Sequence, residues 1–152
     1  MASFIGSYTY ILDHKGRISI PVKFRRPDSS TSYHSFIVTR GLEGCLFLCP
    51  QEEWGKIETR LKTLSFTQSN NRLFLRLLLE NANEVEVDKQ GRILIPQSLL
   101  AKAKISKEVL IMGVFERVEL WNPEEYSKYK ETNEKAGVTY ESAAEKIFSE
   151  QS

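Results

Sequence analysis

Residues 13–21 read Asp13-His14-Lys15-Gly16-Arg17-Ile18-Ser19-Ile20-Pro21, and residues 88–96 read Asp88-Lys89-Gln90-Gly91-Arg92-Ile93-Leu94-Ile95-Pro96. Six of the nine positions are identical at an offset of 75. A repeat at fixed spacing has to be read first, because it decides whether the chain holds one structural unit or two. The surroundings repeat as well. Phe36-Ile37-Val38-Thr39 matches Val109-Leu110-Ile111-Met112 in character, and Cys49-Pro50-Gln51-Glu52 matches Asn122-Pro123-Glu124-Glu125, both at offset 73. An ordered series of blocks predicts a duplicated unit spanning 7–64 and 83–135. A connecting helix at 65–82 and a tail at 136–152 complete the division.

Each unit has the same local grammar. Tyr8 to Leu12 is a β-rich run, and Val85-Glu86-Val87 alternates apolar with polar. In Asp-x-x-Gly the carboxylate can accept backbone N–H bonds and the glycine can take φ > 0, which predicts a tight turn. Arg17–Ile20 and Arg92–Ile95 are then expected to return as partner strands, ended by Pro21 and Pro96 because proline cannot donate to a ladder. The expectation is a hairpin with a polar tip in each unit, followed by short helical turns near 22–26 and 97–104. A second hairpin is expected from Ser35–Arg40 with Cys45–Cys49, and from Val109–Val114 with Arg117–Trp121. Helices then open with proline in the first turn and acids beside it, at Pro50-Gln51-Glu52-Glu53 and Pro123-Glu124-Glu125, with Asn122 as an N-cap. Residues 68–83 read as a helix with Leu73, Phe74, Leu77 and Leu78 on one face and Arg72 and Arg76 beside it. Gly137 breaks the last helix, and Thr139 is placed to cap a final segment through Phe148. The predicted class is α+β.

Composition narrows the function. The chain has 152 residues, 41% of them hydrophobic, enough for a packed core. Its formal net charge of +1 excludes binding to nucleic acid or anionic lipid by bulk attraction alone. No apolar run reaches the roughly 20 residues of a membrane span, and Met1 to Phe4 shows no signal-peptide pattern, so no membrane association and a cytosolic location are expected. Cys45 and Cys49 lie four apart in an expected strand, more than about 10 Å by strand rise. That is too far for a mutual disulfide, and they read as small buried hydrophobes. With His14 and His34 as the histidines there is no zinc set. No nucleophile–base pair, phosphate loop or metal cluster is present, and Asp13 and Asp88 sit beside cations that spoil them as general acids. The reading is therefore not an enzyme, with no cofactor and no metal.

The two tips carry the functional signal. Arginine is not needed to build the turn, yet both copies have it. A neighbouring aspartate can fix the direction of a guanidinium whose planar fork suits phosphate or guanine edges. Lys15, Arg17, Lys23, Arg25 and Arg26 against Asp13 give residues 13–26 a net of +4, and Lys89, Arg92, Lys102 and Lys104 against Asp88 give residues 88–104 a net of +3. Candidate DNA contacts are Lys15, Arg17, Lys23, Arg25, Lys89, Gln90 and Arg92, with Asp13, Gly16, Asp88 and Gly91 shaping the turns. Lys23, Arg25 and Arg26 read equally well as a solvated face. Arg72 and Arg76 fit a solvated or interface face better, and Trp54 and Trp121 fit anchors of helix to sheet. His14 is read as an exposed turn residue. Residues 131–152 carry five Glu and two Lys, a net of −3, and are read either as partly disordered or as an oligomer contact. The alternative function is an oligomeric interaction scaffold whose tips are structural turns.

The paired Asp-x-Lys/Gln-Gly-Arg-Ile-x-Ile-Pro motifs, Cys45-Leu46-Phe47-Leu48, Glu53-Trp54, Arg72-x-Phe74-x-Arg76 and Glu119-Leu120-Trp121 together resemble the MraZ family over about residues 4–130. This is a family of bacterial transcriptional regulators of the division and cell-wall gene cluster. Singly, the motifs resemble the wider AbrB-like class of DNA-binding proteins. The resemblance implies tandem AbrB-like swapped-hairpin β-barrel repeats that interlock as an intrachain pseudo-dimer with flanking helices. It implies ring-like homo-oligomers, sequence-specific binding to double-stranded DNA at repeated promoter sites, nucleoid association and, usually, repression. By this resemblance the motif arginines are Arg17 and Arg92, their aspartates Asp13 and Asp88, and the tip lysine Lys15. Gln90 departs from the lysine of the first copy, so the two tips need not contribute equally.

Overall fold

A short strand beside a tight turn has two choices of partner, the strand across its own turn or one from elsewhere in the chain. The computed structural model, which describes residues 3–150, shows the second choice at both tips. Met1 and Ala2, used in reading no leader, and Gln151 and Ser152 of the expected tail lie outside the described residues. The first unit contributes β1 (Phe4–Ile11), β2 (Arg17–Ser19), α1 (Val22–Arg25), β3 (Ser35–Arg40), β4 (Leu46–Pro50) and α2 (Gln51–Leu61). Helix α3 (Ser69–Leu79) follows. The second unit contributes β5 (Asn83–Glu86), β6 (Arg92–Leu94), α4 (Gln97–Lys102), β7 (Glu108–Phe115), β8 (Arg117–Trp121) and α5 (Pro123–Lys135), and α6 (Tyr140–Glu150) ends the described chain.

The second hairpins form as expected, β3 with β4 and β7 with β8, both antiparallel. The first hairpins do not. β1 pairs with β7 of the other unit, from Phe4 opposite Phe115 to Ile11 opposite Glu108. β5 pairs with β3, from Ser35 opposite Glu86 to Val38 opposite Asn83. β2 pairs with β6. The Asp-x-x-Gly turns themselves close, but β2 and β6 are three-residue strands that can offer their neighbours across the turn few ladder bonds. The eight-residue β7 offers β1 a full-length partner. Just beyond β1, the Leu12 N–H donates to the Lys107 carbonyl at 2.7 Å, and the Val87 N–H donates to the His34 carbonyl at 2.8 Å, the same crossing in the other direction.

The result is a six-stranded antiparallel sheet in the order β1-β7-β8-β4-β3-β5, with β2-β6 as a separate two-stranded ribbon. The expected closed barrel is not seen, because β1 and β5 end the sheet without meeting. The ribbon packs on the sheet through its period-2 pattern: Ile18, Ile20, Ile93 and Ile95 are buried, while Ser19 and Leu94 face outward. They join Phe36, Val38, Leu46, Leu48, Ile111, Val118 and Leu120 in one core. Burying each isoleucine contributes about 1.5–3 kcal/mol. Phe24 of α1 sits edge-on to Phe4 and Tyr8, with ring centroids at 5.4 and 5.6 Å, and ties the ribbon's exit to β1.

The peripheral elements follow the sequence closely. Cys45 and Cys49 are free and buried, and burial pushes both thiols up to about 12. Pro50 is the cap residue of α2 and not part of its first turn, whereas Pro123 opens α5 and Asn122 accepts from the Glu124 and Glu125 N–H groups. Trp121 anchors α5 by ring contacts at 5.0 Å to Tyr126 and 5.5 Å to Tyr129, and Trp54 is half-buried on α2. Within the tail Tyr140–Glu150 is helical, with the Thr139 hydroxyl accepting from the Ser142 N–H as expected. Among the described residues no helix is long and apolar enough to cross a membrane.

Gly113 faces Gly6 in the β1–β7 ladder. A Cβ at Gly113 would stand 2.5 Å from the Phe4 carbonyl carbon and 2.6 Å from the Ile5 nitrogen, both backbone atoms that cannot rotate away. Gly113→Ala is expected to lower the unfolding free energy by about 1–3 kcal/mol in urea denaturation, as overpacking does. An unchanged midpoint would mean that close approach of β1 to β7 is not needed for stability.

Candidate nucleic-acid interface

Each tip is built by one aspartate. The Asp13 carbonyl accepts from the Gly16 N–H at 3.0 Å, and the Asp13 N–H donates to the Arg17 carbonyl at 2.9 Å. Asp13 Oδ1 accepts from the N–H groups of Lys15 at 2.9 Å and Arg17 at 2.8 Å. Its Oδ2 accepts from Arg17 Nε at 2.7 Å. One carboxylate oxygen therefore shapes the turn and the other aims the arginine. The second tip repeats the arrangement. Asp88 Oδ1 accepts from the N–H groups of Gln90 and Arg92, both at 2.9 Å, and Oδ2 from Arg92 Nε at 3.0 Å. With Nε engaged, the outer edge of the guanidinium keeps its donors for a ligand.

The ribbon brings the two tips together. Ile18 stands opposite Ile93, with Arg17 opposite Leu94 and Ser19 opposite Arg92. The Ile20 N–H donates to the Gly91 carbonyl at 2.9 Å, and the Ile95 N–H donates to the Gly16 carbonyl at 3.0 Å. These reciprocal bonds give the pair an approximate two-fold relation centred on the isoleucines. Arg92 Nη1 also lies 3.9 Å from Asp13 Oδ2, so the charges of the two tips are joined. At Gly91, φ is +78°, which selects glycine, and the Arg25 guanidinium lies over it, its Cζ 2.7 Å from where a Cβ would stand.

The acids are held ionised. The Arg17 backbone N–H is the largest influence on Asp13 and, with the Arg17 guanidinium and the Lys15 N–H, brings its carboxyl down to about 2 against the opposing effect of burial. The Arg92 backbone N–H likewise lowers Asp88. Neither group suits general acid catalysis near neutral pH.

The other candidate residues divide by position. Lys15, Lys89 and Gln90 are exposed on the tips, and Lys23 and Arg26 are exposed in and just after α1. Lys15 lines a shallow groove with Glu84 and Glu86 of β5, so acid partly offsets its charge. Arg25 is half-buried, its Nε donating to the Ile20 carbonyl at 3.0 Å while its guanidinium covers Gly91. It joins the first unit to the second tip, a role local spacing could not reveal because it depends on the β2–β6 pairing. His14 is exposed. Among the described residues no three His, Cys, Asp or Glu side chains come together to hold a metal ion. What the site offers is two aspartate-aimed arginine forks on one two-stranded ribbon, an element narrow enough for a DNA major groove.

A family model described as "MraZ protein, putative antitoxin-like" matches the chain twice, at residues 3–77 and 78–147. Curated relatives carry the name transcriptional regulator MraZ. The one from Heliobacterium modesticaldum is 45% identical over 95% of this chain and 96% of its own length. Those from Desulforamulus reducens and Clostridium tetani are 44% and 43% identical over the same shares.

The lowered Asp13 carboxyl makes stability depend on pH. A folded-state value of about 2 against the ordinary 3.8 means that the ionised form's contribution is fully present above about pH 4 and is lost as pH falls through 2. The melting temperature of wild type is expected to exceed that of Asp13→Asn at pH 6, with the gap narrowing by pH 2.5. A gap of constant size across that range would show that the carboxylate's charge does not hold the turn.

Proposed function

The chain belongs to the MraZ family, and from that membership we propose that it is a sequence-specific DNA-binding transcriptional regulator. It acts as a repressor of the bacterial division and cell-wall gene cluster and works in the cytoplasm, associated with the nucleoid. It binds repeated promoter sites in double-stranded DNA as a ring-like homo-oligomer. The interlocked units at 7–64 and 83–135, joined through 65–82 and followed by the tail 136–152, are read as AbrB-like swapped hairpins. The observation that carries this reading is the placement of Arg17 and Arg92 on one ribbon, each aimed by its own aspartate.

The residue roles follow from exposure. Arg17 and Arg92 read base edges or grip phosphates. Lys15, Lys23 and Lys89 make phosphate contacts, and Gln90 contacts an adenine edge or a phosphate. Arg25 adds positive charge from behind while holding Gly91. A net charge of +1 leaves one chain a weak binder, so several subunits on repeated sites supply affinity through effective concentration.

A gel-shift titration against the protein's own upstream DNA at fixed salt tests this. Arg17→Ala and Arg92→Ala are each expected to weaken binding about 10- to 100-fold, with folding and assembly intact. Lys23→Ala is expected to weaken binding to all sequences alike and to reduce the salt slope by about one. Unchanged binding by the arginine variants would overturn DNA reading by the tips and favour an interaction scaffold with purely structural turns.

A further inference from the structure

Two apolar surfaces far apart in sequence have no cover. On α6, Tyr140, Ala143, Ala144, Ile147 and Phe148 follow the i, i+3, i+4, i+7, i+8 spacing of one helix face. Tyr140 is 87% exposed and Phe148 71%. The helix carries Glu141, Glu145 and Glu150 against Lys146, a net of −2. Gly137, at φ +84°, turns the chain away from α5 just before it.

The second surface lies between α3 and the turn that joins β3 to β4. There a cavity of about 440 Å³ is floored by Leu42, Cys45, Phe47, Phe74 and Leu77. Phe74 on its α3 side remains 42% exposed, although the helix has buried Leu78 against the sheet. Arg40 and Lys102 stand at its edge, with Glu43 on the turn as the acidic member. Arg40 and Lys102 form no ion pair among the described residues, and neither do Glu141, Glu145 and Glu150.

We infer that α6 of one copy seats in the α3 groove of a second copy, with Phe148 and Ile147 as its anchors and its glutamates facing the groove's cations. An amphipathic helix laid into an apolar groove is a standard recognition mode. Charge decides the partner. Two acidic helices would repel, whereas the groove is bordered by unpaired cations. Knob and groove are different patches, since no α6 residue lines the groove of its own chain, so the contact is head-to-tail and each copy can engage two neighbours. Such contacts close into rings or run on as filaments. This names the contact behind the homo-oligomer proposed above and rests on that part of the reading, while DNA binding by the tips stands separately.

Light scattering after size-exclusion chromatography of the full chain tests it, with circular dichroism confirming that each variant is folded. Wild type is expected to assemble. Phe148→Glu spoils the knob and Phe74→Glu the groove, each weakening self-association about 30-fold or more, the loss typical of a central anchor. Mixed one to one, the two variants are expected to form a dimer and nothing larger, because one good knob and one good groove remain. Variants that assemble like wild type, or a mixture that stays monomeric, would overturn this contact while leaving another oligomer possible. A monomeric wild type would overturn the contact and the assembly reading together, and the gel-shift result would still judge DNA binding.

Discussion

The antiparallel pairing of β2 with β6 is the interaction on which the rest of the molecule depends. Three residues on each side could not hold a ribbon by their ladder alone. The pairing persists because Ile18, Ile20, Ile93 and Ile95 all point into the core, so separating the strands would expose four buried side chains. The same pairing places Gly16 and Gly91 where their carbonyls accept from the opposite strand. It carries Arg17 and Arg92 into one site, and it sends β1 and β5 outward to seek partners in the other unit. The strand exchange, the shared core and the paired tips have this one origin.

The exchange also explains where the charge lies. The chain is nearly neutral, but its cations are not spread evenly. The ribbon gathers the tip arginines, each neutralised in part by an aspartate that directs it. Lys15 faces a groove holding Glu84 and Glu86 of β5, an arrangement created by crossing the units. Positive charge at the tips is thus directed more than it is abundant, which suits recognition by geometry better than bulk attraction. The acidic α6 and the cation-bordered α3 groove divide charge in the same manner at the other surfaces.

Much of this was legible in the residues. The Asp-x-x-Gly turns, the β3–β4 and β7–β8 hairpins, the Asn122 cap and the burial of the two cysteines all came out as read. Each depends on neighbours within a few positions. The pairing of the strands flanking the tips was misread as local, since a turn of that chemistry normally joins partners. Nothing in Tyr8 to Leu12 states that Glu108–Phe115 offers a longer ladder. The closed barrel failed for a related reason: β1 and β5 each gain a single neighbour and end the sheet. Arg25 was read as a DNA contact or a solvated cation, and its place over Gly91 exists because the second tip was brought beside it.

The sequence by itself determined the duplication, the chemistry of each turn and the two hairpins β3–β4 and β7–β8, because these are properties of short segments and their side chains. Tertiary structure alone decided which strand pairs with which, and so whether the two tips are separate features or one site. A strand edge is satisfied by any partner of suitable length and register, and that choice is made by the shared core that the two units can build only together.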